Sequence, residues 1–220
     1  MIARQIAIDG PAGAGKSTVA RLVADRLGYL YIDTGAMYRA LAWLAIKRGL
    51  AYDDEQALVR LAQETRIELI NADGDHRVYC GGEDITLAIR EAKVGNAASP
   101  ISAIAGVREA LVAEQQRLGK EGCVVMDGRD IGTKVLPQAK CKIFLTASLE
   151  ERSRRRTLEL QTKGLIIDVA EVSRDIKERD RRDSSRVASP LMQADDAVLL
   201  DSSNLNIEQV VQKILQLAGA

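Results

Sequence analysis

Short apolar runs alternate along this chain with longer stretches in which apolar residues recur every three or four positions. The first pair sets the rhythm. Arg4-Gln-Ile-Ala-Ile-Asp9 reads as a buried strand, and Thr18-Val-Ala-Arg-Leu-Val-Ala-Asp-Arg-Leu27 carries apolar residues at helical spacing. Gly28 is a plausible helix stop, Tyr29-Leu-Tyr-Ile32 predicts a second strand, and a helix from Ala36 to Arg48 is closed by Gly49. Asp53 to Arg66 reads as another amphipathic helix, with Leu58, Leu61 and Ala62 on one side. The period then shortens to two. Ile67-Glu-Leu-Ile70 and Arg77-Val-Tyr-Cys80 flank Asn71 to Asp75, where Asp73-Gly74 signals a hairpin, and Gly81-Gly82 and Thr86 bound one more extended piece. His76 sits at this turn and is expected on the solvated surface. Helical spacing resumes from about Ala88 to Leu118, interrupted at Ser99-Pro100. Gly122-Cys-Val-Val-Met126 and Lys142-Ile-Phe-Leu-Thr146 predict two further strands. Ser148 to Val187 is helical and charge-dense, broken near Gly164; Ala197-Val-Leu-Leu200 is a last strand and Ile207 to Leu217 a closing helix. Strands alternating with helices in this way predict an α/β fold: a doubly wound parallel sheet of five strands, helices on both faces, and a small antiparallel insertion.

Composition narrows the function. A chain of 220 residues is expected to form one domain with an ample core. One Trp, one Phe and five Tyr leave little for an aromatic stacking surface, and a net charge of zero argues against a polyanion binder. Cys80, Cys123 and Cys141 lie far apart without a C-x-x-C pair, and a single histidine excludes an ordinary zinc site. The cysteines read as small buried hydrophobes in a reducing compartment. The sequence enters a strand almost at once and has no apolar run near ~20 residues, so a cytoplasmic protein is expected.

The stretch Gly10-Pro11-Ala12-Gly13-Ala14-Gly15-Lys16-Ser17-Thr18 fits G-x-x-x-x-G-K-[ST]. Glycine-permitted turns aim successive backbone N–H groups at phosphates, a lysine reaches the β- and γ-phosphates, and a serine hydroxyl holds Mg²⁺. A strand leads in and a helix N-terminus leads out, which is an anion site by geometry alone.

Three more groups carry candidate chemistry. Asp33-Thr34-Gly35 ends a predicted strand, where Asp33 is either an N-cap or a functional carboxylate, and Arg39 follows on the same helix. Asp127-Gly128-Arg129-Asp130 follows a buried strand at the sheet edge that faces a phosphate loop, the position of carboxylates that reach Mg²⁺ through water. Nine arginines lie between Arg152 and Arg186. Much of that charge is a solvated face, but Arg154-Arg155-Arg156 repels itself unless an anion visits. Arg179, Arg182, Asp183 and Arg186 share one helix face, a stripe suited to phosphate and sugar together. A nucleic-acid reading is weaker, because the chain is neutral and stacking residues are scarce.

Over nearly its full length the chain resembles the bacterial cytidylate kinase family, in the nucleoside-monophosphate kinase group of P-loop folds. The likeness runs through Asp9 to Thr18, Asp33-Thr-Gly-Ala-Met-Tyr-Arg39, the antiparallel insertion, Asn96-Ala-Ala-Ser99 and Val107-Arg-Glu-Ala-Leu111. It continues through Asp127-Gly-Arg-Asp-Ile-Gly-Thr133, Lys142-Ile-Phe-Leu145 and Arg179-Asp-Arg-Arg-Asp-Ser-Ser-Arg186. It implies transfer of the ATP γ-phosphoryl group to CMP or dCMP with Mg²⁺ held by Ser17, and by Asp33 or Asp127 through water. It places Thr34, Ser99, Arg108 and Asp130 at the pyrimidine end, Arg39 and Arg129 on the acceptor phosphate, and Arg179, Asp183 and Arg186 near sugar and base. Arg152 to Gly164 is expected as a mobile lid, about 152–166, whose Arg155 and Arg156 join Lys16 and Arg129 in the transfer. The core would take about 1–35, 120–150 and 190–220, the acceptor region about 36–119, and the working form would be a monomer. Thr34 stands where some members have serine, which keeps the hydroxyl.

The chemistry agrees. An acceptor phosphate has its second pKa near ~6 and is already largely a dianion at neutral pH, so positioning and charge neutralisation suffice without a general base. Asp130 as an acceptor suits cytosine's exocyclic amino group and not uracil's carbonyl. Two other readings stay open: a P-loop kinase for a small hydroxyl acceptor with Asp33 as base, and a nucleotide-dependent switch or ATPase.

Overall fold

The computed structural model describes residues 4–72, 75–120, 122–162, 164 and 168–220. In chain order the strands and α-helices begin with β1 (Gln5–Asp9), α1 (Lys16–Leu27), β2 (Leu30–Asp33), α2 (Thr34–Lys47) and α3 (Glu55–Glu64). The insertion follows as β3 (Ile67–Ala72), β4 (Asp75–Cys80) and β5 (Glu83–Asp84). Then come α4 (Ala92–Ile101), α5 (Ala105–Lys120), β6 (Val124–Gly128), β7 (Cys141–Thr146), α6 (Leu149–Thr162), α7 (Val169–Ser185), β8 (Val198–Asp201) and α8 (Ile207–Ala218).

The main sheet has five strands in the order β2-β6-β1-β7-β8, every neighbouring pair parallel. Ile6, Ala7 and Ile8 of β1 and every residue of β6 are buried, as continuous apolar runs at the centre of a parallel sheet must be. The second sheet, β3-β4-β5, is antiparallel, as the period-two pattern predicts. Its expected Asp73-Gly74 turn lies outside the described residues.

Two apolar clusters clothe the main sheet. Val19, Val23, Val210, Val211 and Ile214 of α1 and α8 meet Ile6, Ile8, Ile143 and Leu145; Val135 and Leu136 cover Ala7, Ile32 and Met126. A third cluster joins α2 to α5 with the insertion through Met37, Leu41, Leu58, Ile67, Val78 and Leu111. Burying a side chain of this kind contributes about 1.5 to 3 kcal/mol.

Local chemistry sets the helix ends. Asp33, Asp54, Asp168 and Asn206 are N-caps, accepting from Ala36, Ala57, Ala170 and Gln209 respectively. One boundary differs from expectation. Pro100 lies inside α4 and the break falls later, at Ser102–Ile104. Near a C-terminus a proline forfeits little, and the Ser102 N–H still reaches the Ala98 carbonyl at 2.9 Å. No helix among the described residues is long and apolar enough to cross a membrane. All three cysteines are free, Cys80 and Cys141 buried.

Register brings Asp9, Asp33 and Asp127 to one sheet edge: Asp127 lies opposite Ile8 and Asp33, and Asp9 opposite Gly128 and Phe144. This is the carboxyl edge, where ligands sit in open α/β sheets.

Candidate active site

The phosphate loop leaves β1 at Gly10, whose φ of +149° and position admit no side chain; a Cβ there would lie 1.9 Å from the Leu145 carbonyl oxygen. Pro11, Ala12 and Ala14 are buried, Gly13 and Gly15 half-buried, and Ser17 and Thr18 open to solvent at the start of α1. Lys16 is buried and its Nζ donates to the Pro11 carbonyl at 2.7 Å. Burial first, then Arg129 and Arg179, push the Lys16 ammonium well below its ordinary value, while Asp127 acts the other way.

Asp127 stands across from the loop. Ser17 Oγ donates to its Oδ2 at 2.8 Å and the Tyr31 hydroxyl to its Oδ1 at 2.9 Å. Burial and the nearby Asp33 raise its carboxyl to about 6. Asp9 is likewise raised to about 6, chiefly by burial. Its oxygens accept from the Ile131 and Gly132 N–H groups at 2.8 and 2.7 Å, fastening the turn after Asp130 to β1. Among the described residues no group of three or more His, Cys, Asp and Glu is placed to hold a metal. The donors beside the loop are hydroxyl and carboxylate oxygens, which fit Mg²⁺ held mainly by phosphate oxygens and water.

A cationic wall faces the loop. Asp33 caps α2, accepting from the Ala36 N–H, and also accepts from Arg39 Nη2 at 2.8 Å. Arg129 Nε donates to Asp183 Oδ2 at 2.7 Å, and Arg186 Nη1 lies 3.4 Å from Asp183 Oδ1. Arg179 is exposed, yet protein crowds its guanidinium. That crowding, then Arg129, and also Arg39 and Arg156, bring its guanidinium well below the ordinary arginine value, to about 10. Lys16, Arg39, Arg129, Arg156 and Arg179 thus converge on one space with only part of their charge matched.

Behind this wall lies a polar pocket. Arg108 Nη2 donates to Asp130 Oδ2 at 2.6 Å with both residues buried, and the Arg108 guanidinium lies 5.2 Å from the Tyr38 ring centroid. Arg108 Nε and Arg186 Nε and Nη2 are buried donors without a protein partner among the described residues, a state that calls for a ligand or water. Thr34 is buried, its hydroxyl donating to the Asp127 carbonyl at 2.7 Å under Gly128, where a Cβ would come 2.7 Å from Thr34 Oγ1. Ser99 Oγ accepts from Arg182 Nη1 at 3.1 Å.

Several expectations are corrected. The Arg154–Arg156 run does not repel itself: Arg154 and Arg155 share Glu151, and Arg156 pairs with Glu159. Of the stripe on α7, Arg182 is exposed and held by Glu178 and Ser99, and Arg186 lies past the helix end as its C-cap, still beside Asp183. Arg152, where the expected lid begins, is buried against the loop, donating to the Ala12 carbonyl. His76 is half-buried, its ring edge-on to Tyr31 with centroids 5.2 Å apart, and burial lowers its pKa. Arg155 lies at the loop, donating to the Ser202 carbonyl at 2.7 Å. Periodicity gave Tyr31 only a place on a strand; its hydroxyl contact with Asp127 has no sequence signal.

A family model described as cytidylate kinase matches residues 6–220. A cytidylate kinase from Bacillus licheniformis is 51% identical over 213 residues, covering 96% of this chain and 94% of its own. One from Desulfitobacterium hafniense is 53% identical over 213 residues, covering 97% and 91%. Among solved structures, a shikimate kinase from Bacteroides thetaiotaomicron covers 98% of each chain with a TM-score of 0.50 at 15% identity, a likeness of fold alone.

Proposed function

The chain belongs to the cytidylate kinase family, and from that premise we propose how its residues divide the transfer of the γ-phosphoryl group of ATP to CMP or dCMP. Gly10 to Thr18 wrap the triphosphate of ATP with backbone N–H groups. Lys16 leaves the Pro11 carbonyl for the β- and γ-phosphates, and Arg155, beside the loop at Ser202, flanks the same nucleotide. Ser17 would hold Mg²⁺, with Asp127 or Asp33 reaching it through water, and the ion would supply neutralisation of the phosphate charge. Arg39, Arg129 and Arg179 take the acceptor phosphate, and Asp183 and Arg186 the sugar. Ser99, Arg108 and Asp130 take the cytosine, with the buried Thr34 shaping the floor between sugar and base. Arg156, on the lid helix, turns from Glu159 to the transferring phosphoryl group. A carboxylate at Asp130, fixed by Arg108, accepts from cytosine's amino group and meets uracil's carbonyl oxygen as a second acceptor, which disfavours UMP.

One observation carries this reading: cations from the loop, α2, the turn after β6, α6 and α7 face one space. Burial first, and then the charges of Arg129 and Arg179, lower Lys16 there; burial first, and then Arg129, Arg39 and Arg156, lower Arg179. One triphosphate at the loop accounts for Lys16; the arginines opposite, whose carboxylate partners match only part of their charge, suit a second anion. Two phosphates face to face are the geometry of transfer without a general base. The core of about 1–35, 120–150 and 190–220, the acceptor region of about 36–119 and the lid of about 152–166 follow as its working parts. The working form we propose is a cytoplasmic monomer serving nucleotides, with neither nucleic acid nor membrane as partner, in keeping with its zero net charge.

Arg129→Met tests it. The expected result is a loss of about 100- to 1,000-fold in turnover of CMP with ATP affinity within about threefold of the unsubstituted enzyme. Unchanged CMP kinetics would remove Arg129 from the acceptor site.

A further inference from the structure

Both polar backbone groups of Ala12, on the outer side of the phosphate loop, are held by side chains. The Ala12 N–H donates to Asp180 Oδ1 at 2.9 Å, and its carbonyl accepts from Arg152 Nη1 at 2.9 Å. The same Nη1 donates to Asp180 Oδ2, which closes the ring, and Arg152 Nε donates to the Ala147 carbonyl at 3.0 Å. Apolar contact reinforces it: Ala12 packs with Val172 and Ile176 of α7. At Gly13 a Cβ would come within 3.2 Å of Arg152 Cβ, so the loop sits close against α6.

Asp180 does not stand alone on α7. One turn later Asp183 accepts from Arg129. The two carboxylates attach about 4.5 Å apart along the axis, at 1.5 Å per residue. One rigid helix therefore grips the donor loop with one carboxylate and the acceptor-side guanidinium with the next.

We propose that Asp180, acting with Arg152, is a positioning residue for phosphoryl transfer: it registers the phosphate loop against the helix that carries Asp183. The spacing of donor and acceptor phosphates is then set by α7. This rests on Arg129 facing the acceptor phosphate. A purely structural role would show as lost stability or weakened nucleotide binding; a positioning role shows in kcat, because misplacement by about 1 Å costs on the order of 100-fold.

The test is Asp180→Asn, which keeps the shape but turns a donor towards Arg152, beside Arg152→Lys and the double variant. Calorimetry gives the affinity for ATP and for CMP separately, and steady-state assays give kcat. The expected result is a fall in kcat of about 30- to 100-fold in each single variant, with both affinities within about threefold of the unsubstituted enzyme. Because the two side chains act through one ring, the double variant should be no slower than the worse single. A kcat within about twofold in the single variants overturns the proposal, as does a loss that follows ATP affinity alone or multiplies in the double. Should Asp180→Asn not fold, Arg152→Lys carries the same expectation, since lysine keeps the charge but not the fork. An unsubstituted chain that turns over no CMP would overturn the functional reading itself; normal turnover there with unchanged variants overturns only the positioning role.

Discussion

Asp130 both faces the proposed base site and neutralises a buried arginine. Removing it outright is therefore a poor probe of recognition: Asp130→Ala strands the Arg108 guanidinium, and a broken buried pair costs about 3 to 5 kcal/mol. Asp130→Asn keeps the packing and is expected to lower kcat/KM for CMP more than for UMP. Equal losses on the two substrates would move Asp130 away from the base. The sequence placed Arg108 and Asp130 together only through a family likeness, since residues 22 apart reveal no ion pair by spacing. The arginine run shows the reverse failure. Like charges in a row looked like a vacant anion site, yet Glu151 and Glu159 stand three or four residues away on the same helix and neutralise it. His76 was misplaced because its partner, the Tyr31 ring, lies in a different sheet.

Among the elements, α7 and the antiparallel insertion gain the most from the structure. The Asn71 side-chain amide donates to the Tyr31 carbonyl at 2.7 Å, so the insertion touches the strand whose tyrosine holds Asp127. Tyr31→Phe is expected to cost about 1 to 2 kcal/mol in ligand-free denaturant melts, since a hydrogen bond to a buried carboxylate is lost. No change would mean the bond is marginal. Gly10→Ala is harsher, because the new methyl would have to displace strand backbone at Leu145; soluble yield and ATP binding should both collapse. A variant that binds ATP normally would contradict that close approach. Element types were legible throughout, because periods of two and of three to four are direct traces of which faces are buried. Ends were less so: Pro100 reads as a break, yet local carbonyl bonding lets α4 run past it.

For the whole molecule, pH dependence joins fold and site. Asp9 and Asp127 are each raised from 3.8 to about 6 by burial, so the folded chain holds their protons more tightly than the unfolded chain does. Stability from them is complete below about 3.8 and is lost as pH rises through about 6. Glu151 and Glu208, pulled down to about 2 chiefly by Arg154 and Arg26 respectively, act oppositely, with stability lost as pH falls. The Tm of the ligand-free protein should therefore decline from pH 5 to pH 7, and Asp9→Asn should flatten that decline; a Tm that climbs over this range would contradict the burial of these carboxylates. The convergence proposed to underlie phosphoryl transfer, a loop cation facing arginines from α2, the turn after β6, α6 and α7, is open to a direct check. ADP release is followed with ATP and Mg²⁺ against CMP, dCMP, UMP, AMP, GMP and shikimate. The account predicts rapid turnover with CMP and dCMP, weak turnover with UMP, and none with shikimate. Activity on shikimate alone, or ADP release indifferent to every acceptor, would contradict it.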